Sequence, residues 1–130
     1  MNIMVGYNGG EVGERVLILA RDYALLTKSF LHIVTSLEGG ANEKPSDIQQ
    51  AESYLEFAAN LMEPSGVKFI TKQSVRGLSP GEDILLYAKE NDIGHIFLGI
   101  KKKSRAQKML LGSTARYVIL KALCPVTTIR

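Results

Sequence analysis

The 130 residues, of which 45% are hydrophobic and 22% charged, have the composition of a globular domain rather than of a disordered chain. No apolar stretch approaches the ~18 residues of a membrane-spanning helix, and the first apolar run, at residues 3–5, is too short for a signal peptide. The single cysteine, Cys124, excludes an intrachain disulfide and a cluster of thiolate metal ligands. We therefore expect one domain over residues 1–130, working in the reducing cytoplasm.

Two apolar periods alternate along the chain. Short runs rich in aliphatic and β-branched residues predict five strands, at residues 3–7, 30–36, 67–75, 95–100 and 126–129. These runs show little alternation of apolar and polar residues, which is typical of parallel strands covered on both faces. Between them, apolar residues at i, i+3 and i+4 predict four helices, around residues 12–24, 48–62, 84–88 and 115–122.

Helix start and stop signals agree with this assignment. Ser79 with Glu82 predicts a capping box at the start of the third helix, and Ser46 offers the same cap to the second. Gly66 is placed to end the second helix, and Pro125 the fourth. Strict alternation of strands and helices predicts an α/β fold, with a parallel sheet, helices on both faces and right-handed crossovers.

Positive charge is concentrated in the last third of the chain. Residues 93–130 hold eight Lys or Arg and no Asp or Glu, whereas the first 92 residues hold eight bases and thirteen acids. This asymmetry predicts that the C-terminal third meets an anion.

The carboxyl ends of the first and fourth strands are the expected ligand position in such a sheet. After the fourth strand, Gly112, Ser113 and Thr114 open a helix whose free N–H groups suit an anion. Two interpretations remain open here: a phosphate site, or an ordinary helix cap beside a solvated lysine run. The basic residues concerned are Lys101, Lys102, Lys103, Arg105 and Lys108.

The same C-terminal third resembles the signature of the universal stress protein family. Phe-Leu-Gly-Ile-Lys-Lys at 97–102, Leu-Gly-Ser at 111–113 and Cys-Pro-Val at 124–126 follow the pattern G-x2-G-x9-G-[ST], helix, C-P-V strand. Residues 3–8 and 14–16 also match, as do Gly77, Pro80, Ile84 and Ala88. The resemblance implies a five-stranded Rossmann-like sheet of order 3-2-1-4-5, of the adenine nucleotide alpha hydrolase type. It further implies a homodimer that pairs the last strands, here Pro125, Val126, Thr127, Thr128 and Ile129.

In the nucleotide-binding branch of that family, ATP lies across the ends of the first and fourth strands. The resemblance then assigns phosphate contacts to the start of the fourth helix, and adenine and ribose contacts to the first, second and fourth strands. The positions concerned are Gly6, Tyr7, Asn8, Thr35, Ser36, Leu98, Gly99, Gly112, Ser113 and Thr114, with Lys101, Lys102 and Arg105 from the basic loop. No side-chain metal site is expected, and any Mg²⁺ would arrive with the nucleotide phosphates.

Two residues depart from the family pattern. Lys102 stands where the signature has its second glycine, and Asn8 stands where the family usually has an aspartate. Lys102 offers a point charge instead of a backbone cradle, and Asn8 offers an amide in place of a carboxylate acceptor.

The function expected from these observations is a regulatory protein that binds ATP or a related adenine nucleotide. His32 and His95 have no carboxylate at catalytic spacing, so we interpret both as structural and expect no enzyme, or very slow turnover. One alternative is a dimeric interaction module with an empty pocket, to whose surface an unknown protein partner binds. The other is a non-specific nucleic-acid binder, which is disfavoured because residues 101–108 contain no aromatic side chain to stack on bases.

Overall fold

A computed structural model of the chain describes residues 1–100 and 111–130. Its five strands are β1 (Asn2–Gly6), β2 (Phe30–Leu37), β3 (Phe69–Val75), β4 (Ile93–Gly99) and β5 (Val126–Ile129). Its helices are α1 (Gly10–Thr27), α2 (Pro45–Met62), α3 (Pro80–Glu90) and α4 (Ser113–Lys121), with a 3₁₀ turn at Glu63–Ser65. The strands form one sheet of order β3-β2-β1-β4-β5 in which every neighbouring pair is parallel. The predicted α/β fold and strand order are confirmed.

Successive residues of the central strands face opposite layers of helices. In β1, Ile3 and Val5 join a core cluster with residues of α1 and α2, whereas Met4 joins a second cluster with residues of α3 and α4. In β2, Ile33 and Val34 divide between the same two clusters. Both faces of the sheet are therefore buried, which explains why the strand sequences are apolar throughout.

The helix caps confirm one sequence prediction and correct another. Ser79 caps α3: its Oγ accepts the Glu82 N–H at 3.4 Å, and the Glu82 carboxylate accepts the Ser79 N–H at 3.3 Å. The predicted cap at Ser46 is wrong, because α2 already begins at Pro45 and the Asp47 carboxylate accepts the N–H of residue 44 at 3.0 Å. Proline suits the first turn because its fixed φ is helical and it has no N–H to satisfy.

The sheet reverses its direction of growth between β1 and β4. From β1, the chain adds β2 and β3 on one side and then crosses over to add β4 and β5 on the other. Gly6 ends β1 in register with Val34 of β2 and Leu98 of β4; β4 ends one residue further on, and β2 three residues further on. A crevice outside this reversal point is where α/β sheets of this kind hold their ligands.

Candidate functional site

A cavity of about 450 Å³ lies at this carboxyl edge of the sheet. It extends from the end of β2, across the ends of β1 and β4, to the first turn of α4, and α3 forms one wall. Its lining residues are Gly6, Tyr7, Asn8, Val34, Ser36, Pro80, Ile84, Leu98, Gly99, Ile100, Gly112, Ser113, Thr114 and Ala115. The volume falls in the range of small-molecule sites.

Most of the positions that the sequence assigned to a ligand meet in this cavity. The structure brings together Gly6, Tyr7, Asn8, Ser36, Leu98, Gly99, Gly112, Ser113 and Thr114. Lys101, Lys102 and Arg105 lie outside the described residues.

Thr35 is the exception among the described positions. Its side chain is fully buried, and its hydroxyl donates to the carbonyl of Tyr7 at 2.8 Å instead of lining the cavity. Side chains alternate along a strand, so Ser36 reaches the cavity and Thr35 faces the opposite layer. Thr35 supports the site indirectly, by fixing the chain where β1 ends.

Two glycines of the site are required by close packing. A Cβ on Gly6 would lie 2.7 Å from Leu98 Cδ2, and one on Gly99 would lie 2.8 Å from Val12 Cγ1 of α1. A side chain at either position would push apart the elements that form the cavity walls.

Gly112 is different, because nothing in the described packing demands a glycine there. Its φ of −64° suits any residue, and a Cβ would have no neighbour within 4 Å among the described residues. The missing side chain leaves open space at the mouth of α4, where a ligand would approach the backbone closely.

The first turn of α4 is an electropositive wall of the cavity. Gly112 is the N-cap, and no side chain of the described residues caps this end or places an acid in the first turn. The first N–H groups of a helix have no intrahelical partner, and the helix dipole adds partial positive charge. The arrangement suits the phosphate of a ligand.

At the opposite end of the cavity, Ser36 is tied to a buried carboxylate. Its Oγ donates to Asp83 Oδ2 at 2.5 Å, and Asp83 is only 1% exposed. The other carboxylate oxygen, Oδ1, accepts from Arg76 Nε at 2.7 Å and from Ser74 Oγ at 2.9 Å. Arg76 also pairs with Glu90 at 2.6 Å.

The charge state of Asp83 follows from these contacts. Burial alone would raise the pKa of the carboxyl group, but hydrogen bonds from Ser36 and Arg76, with a further one from Ser74, outweigh it. The pKa of Asp83 is therefore lowered, and the group is an ionised acceptor at neutral pH.

Comparison with known proteins identifies the family. Residues 1–130 match the sequence model of the Universal stress protein family. The chain belongs to this family. Among curated proteins, none matches it.

Solved structures of universal stress proteins share the fold. The chain is 36% identical to a universal stress protein from Archaeoglobus fulgidus, with a TM-score of 0.91 over 99% of this chain and 97% of that one. It is 33% identical to a universal stress protein from Archaeoglobus fulgidus in complex with dAMP, with a TM-score of 0.84 over 99% and 96%. A more distant universal stress protein in complex with cAMP, 19% identical, has a TM-score of 0.79 over 100% and 96% and shows the shared fold.

The two histidines of this universal stress protein lie away from the cavity. His32 is buried, its Nε2 lies 3.2 Å from Asn2 Oδ1, and its Nδ1 lies 2.7 Å from Tyr87 Oη. An amide oxygen only accepts, so Nε2 carries the proton and Nδ1 accepts from Tyr87. His95 stacks on Phe97 and bonds Thr127 Oγ1 at 2.7 Å. Burial lowers the pKa of both imidazoles.

Cys124 is half-buried between α4 and β5. It packs against the second core cluster, and burial raises the pKa of its thiol. Within the described residues, no helix is long and apolar enough to cross a membrane, and no group of three or more His, Cys, Asp or Glu is placed to hold a metal ion.

Sequence reasoning missed the apolar walls of the cavity and the carboxylate behind it. Val34, Pro80, Ile84, Ile100 and Ala115 all line the cavity. Val34 shares a strand face with Ser36, so the alternation along β2 would have paired them. Asp83 carries no comparable signal, because its partners come from β2 and from the chain at and beyond β3.

Proposed function

We propose that this universal stress protein is a regulatory protein that binds an adenine nucleotide, ATP or a close relative, in the cavity at the ends of β1 and β4. This proposal rests on a cavity of nucleotide size that ends at the N-terminus of α4, which no side chain of the described residues caps and where Gly112 adds no side chain of its own. The dAMP complex of a relative 33% identical over nearly the whole chain supports an adenine nucleotide as the class of ligand.

The orientation of the nucleotide follows from the two ends of the cavity. Phosphates belong at the first turn of α4, where N–H groups and the helix dipole favour negative charge. The basic residues of the 101–108 segment, which follow β4 in the sequence, lie outside the described residues, and their charge is the sequence's own prediction of an anion partner. The base then lies toward β2 and α3, whose apolar side chains Pro80 and Ile84 line the cavity.

The proposed protein binds its nucleotide without turning it over at a useful rate. Among the described residues that line the cavity, none is a His, Asp, Glu, Lys or Cys able to act as a general base or nucleophile. Asp83 touches Ser36 but is buried behind it, with all its contacts satisfied from within the fold. Mg²⁺, where present, would be held through the phosphates.

Binding acts through the segment that joins β4 to α4. Because that segment connects both phosphate-binding walls, we expect a bound nucleotide to protect residues 99–112 from hydrogen exchange and to change the surface offered to a protein partner in the cytoplasm. Hydrogen exchange of peptides covering residues 99–112, with and without ATP, tests this mechanism. Protection on ATP addition is expected, and identical exchange would contradict it.

The second part of the proposal is a homodimer formed through β5. This strand is an edge of the sheet, and its residues Val126–Ile129 are only half-buried in the monomer. Leu120 is 75% exposed and Leu123 is fully exposed just before the strand. An unpaired strand edge beside exposed leucines is a surface that a second copy can cover.

Isothermal titration calorimetry with ATP and with AMP tests nucleotide binding directly. We expect one site per chain and a weaker response from Gly112→Ala, whose new methyl group occupies the open space at the α4 mouth. The thermal midpoint of that variant should change little, since an alanine fits the backbone and meets no neighbour in residues 1–100 and 111–130. No heat of binding at millimolar ATP would favour the interaction module with an empty pocket.

A further inference from the structure

The hydrogen-bonding direction of Ser36 is fixed by its partner. An ionised carboxylate can only accept, so Ser36 must donate its single proton to Asp83 Oδ2. The hydroxyl oxygen then has only lone pairs left for anything in the cavity. Ser36 therefore faces the cavity as an acceptor and not as a donor.

Asp83 is held in the acceptor state by three donors. Arg76 and Ser74 occupy Oδ1, and Ser36 occupies Oδ2. Asp83 also lies in the first turn of α3, where the helix dipole favours a negative charge. Protonation of Asp83 would weaken its hydrogen bonds from these three donors and its interaction with the helix dipole. The fold therefore keeps Asp83 ionised, and Ser36 remains the hydrogen-bond donor to it.

Ser36 lies at the end of the cavity that receives the base. Two strand spacings, about 10 Å, separate β2 from β4, and the phosphate-binding turn of α4 lies at the β4 side. Val34 shares a strand face with Ser36, and Ile84 follows Asp83, the partner of Ser36; both line the cavity, and such apolar side chains suit the face of a flat ring. Ser36 thus contributes a polar atom where the edge of the ring would lie.

We propose that Ser36, oriented by Asp83, selects purines that carry an amino group at C6 and disfavours those that carry a carbonyl there. The amino group of adenine donates a hydrogen bond to the Ser36 oxygen, whereas the carbonyl of hypoxanthine or guanine brings a second acceptor against it. Asp83 acts as a positioning residue, since it does not touch the ligand. This inference rests on nucleotide binding in the cavity and adds the basis of base selection.

The test compares three nucleotides that differ only at the base edge. ATP carries the amino group, purine riboside 5′-triphosphate has hydrogen in its place, and ITP has the carbonyl. For the wild-type chain we expect ATP to bind about tenfold more tightly than purine riboside 5′-triphosphate, and ITP to bind no better than the latter. Calorimetric dissociation constants at one salt concentration supply the ratios.

Two serine variants separate base contact from general effects on Asp83. Ser36→Ala removes the acceptor, so the three affinities should converge to within about twofold. Ser74→Ala is the matched control, because it also removes one donor to Asp83 but does not line this cavity. It should keep the wild-type order.

Asp83→Asn should change the order of the ATP and ITP affinities, which a purely structural role of Asp83 would leave unchanged. Arg76 and Ser74 donate to position Oδ1, so the oxygen of the new amide must take that position and its N–H₂ group must face Ser36. Ser36 then accepts from this amide and turns its own proton toward the cavity. The preference should reverse, with ITP bound more tightly than ATP by about twofold or more.

The outcomes separate this inference from nucleotide binding itself. Equal binding of ATP and ITP by the wild type, or a Ser36→Ala variant that keeps the ATP preference, overturns base selection by Ser36 and leaves nucleotide binding intact. No binding of any of the three overturns both. If Ser36→Ala fails to fold, the reversal expected for Asp83→Asn decides the point, and an unchanged ATP preference in that variant overturns the inference.

Discussion

Gly99 has two separate reasons to be a glycine: packing against α1 and close approach to a nucleotide. The family signature assigns this glycine to the nucleotide, but its missing Cβ is also needed by α1, where Val12 Cγ1 would lie at 2.8 Å and Val16 Cγ2 at 3.1 Å. Loss of nucleotide binding on substitution would therefore not by itself show a ligand contact.

A rescue experiment distinguishes the two demands. Gly99→Ala should lower the free energy of unfolding by about 1–3 kcal/mol, as expected for overpacking. Adding Val12→Ala removes the nearer methyl groups, so the double variant should be more stable than the sum of the two single effects predicts. Urea denaturation measures all three. Simple additivity would show that the strain lies elsewhere.

His32 makes stability depend on pH. Burial lowers the pKa of its imidazole, so the unfolded state binds the proton more readily than the folded state. Stability is therefore full above the unfolded pKa of about 6.5 and falls as the pH drops toward the folded pKa. Thermal unfolding should show a midpoint a few degrees lower at pH 5.0 than at pH 7.5.

His95 shifts in the same direction, so a variant is needed to assign the effect. His32→Gln keeps hydrogen-bonding groups near Asn2 and Tyr87 but cannot titrate, and it should show a smaller drop over the same range. The range stays above the titration of the Asp83 carboxyl, whose lowered pKa matters only in acid. An unchanged pH dependence in the variant would contradict the role of His32.

At this scale, composition and spacing predict which residues lie near the site but not which way they face. Thr35 and Ser36 are adjacent in sequence, yet only Ser36 reaches the cavity, because a one-residue step reverses the face of a strand. The hydrogen bonds of Asp83 with Ser36 and Ser74 join three elements, and no local sequence pattern predicts them.

At the scale of elements, the proposed phosphate site lies at the N-terminus of α4. A charge change there separates helix stability from ligand binding. Ser113→Asp should leave the helix as stable or slightly more stable, because a carboxylate in the first turn favours the dipole. The same carboxylate should weaken ATP binding by about tenfold or more, through repulsion of the phosphates.

Ser46→Asp is the control for this variant. Ser46 is also an exposed serine in the first turn of a helix, α2, but it does not line the cavity. Its thermal midpoint should respond in the same direction and its ATP affinity should stay unchanged. Equal ATP affinity for wild type and Ser113→Asp would show that the phosphates lie elsewhere.

The order of elements was predictable, and their ends less so. Two apolar periods are enough to place five strands and four helices, because each helix buries one apolar stripe and each central strand is buried on both faces. The start of α2 was missed since Pro45 and Asp47 provide a better first turn than a cap at Ser46. The order of the strands in the sheet was predicted by the family resemblance and not by the spacing of apolar residues.

At the scale of the whole molecule, the two edges of the sheet are not equivalent. β3, at one edge, carries the charged Lys72 beside the exposed Ile70 and Val75, whereas β5, at the other edge, has no charged residue from Val126 to Ile129 and follows exposed leucines. Charged edge strands resist pairing, so the proposed dimer should form through β5.

Substitution of an exposed leucine tests the dimer without disturbing the core. Leu123→Glu should shift the chain from dimer to monomer in sedimentation velocity, because a carboxylate would be buried at the interface. Leu26→Glu is the control, since Leu26 is 83% exposed at the far end of α1. Val126 is less suitable, because it packs against the second core cluster. A dimer that survives Leu123→Glu would place the interface elsewhere.

The central claim is that one adenine nucleotide occupies the cavity at the ends of β1 and β4. Native mass spectrometry of the protein with millimolar ATP tests it most directly, with Ser113→Asp measured beside the wild type. We expect a mass increase of one nucleotide per chain in the wild type and a strongly reduced adduct in the variant. A wild-type spectrum without nucleotide, or equal adducts in both proteins, would contradict it.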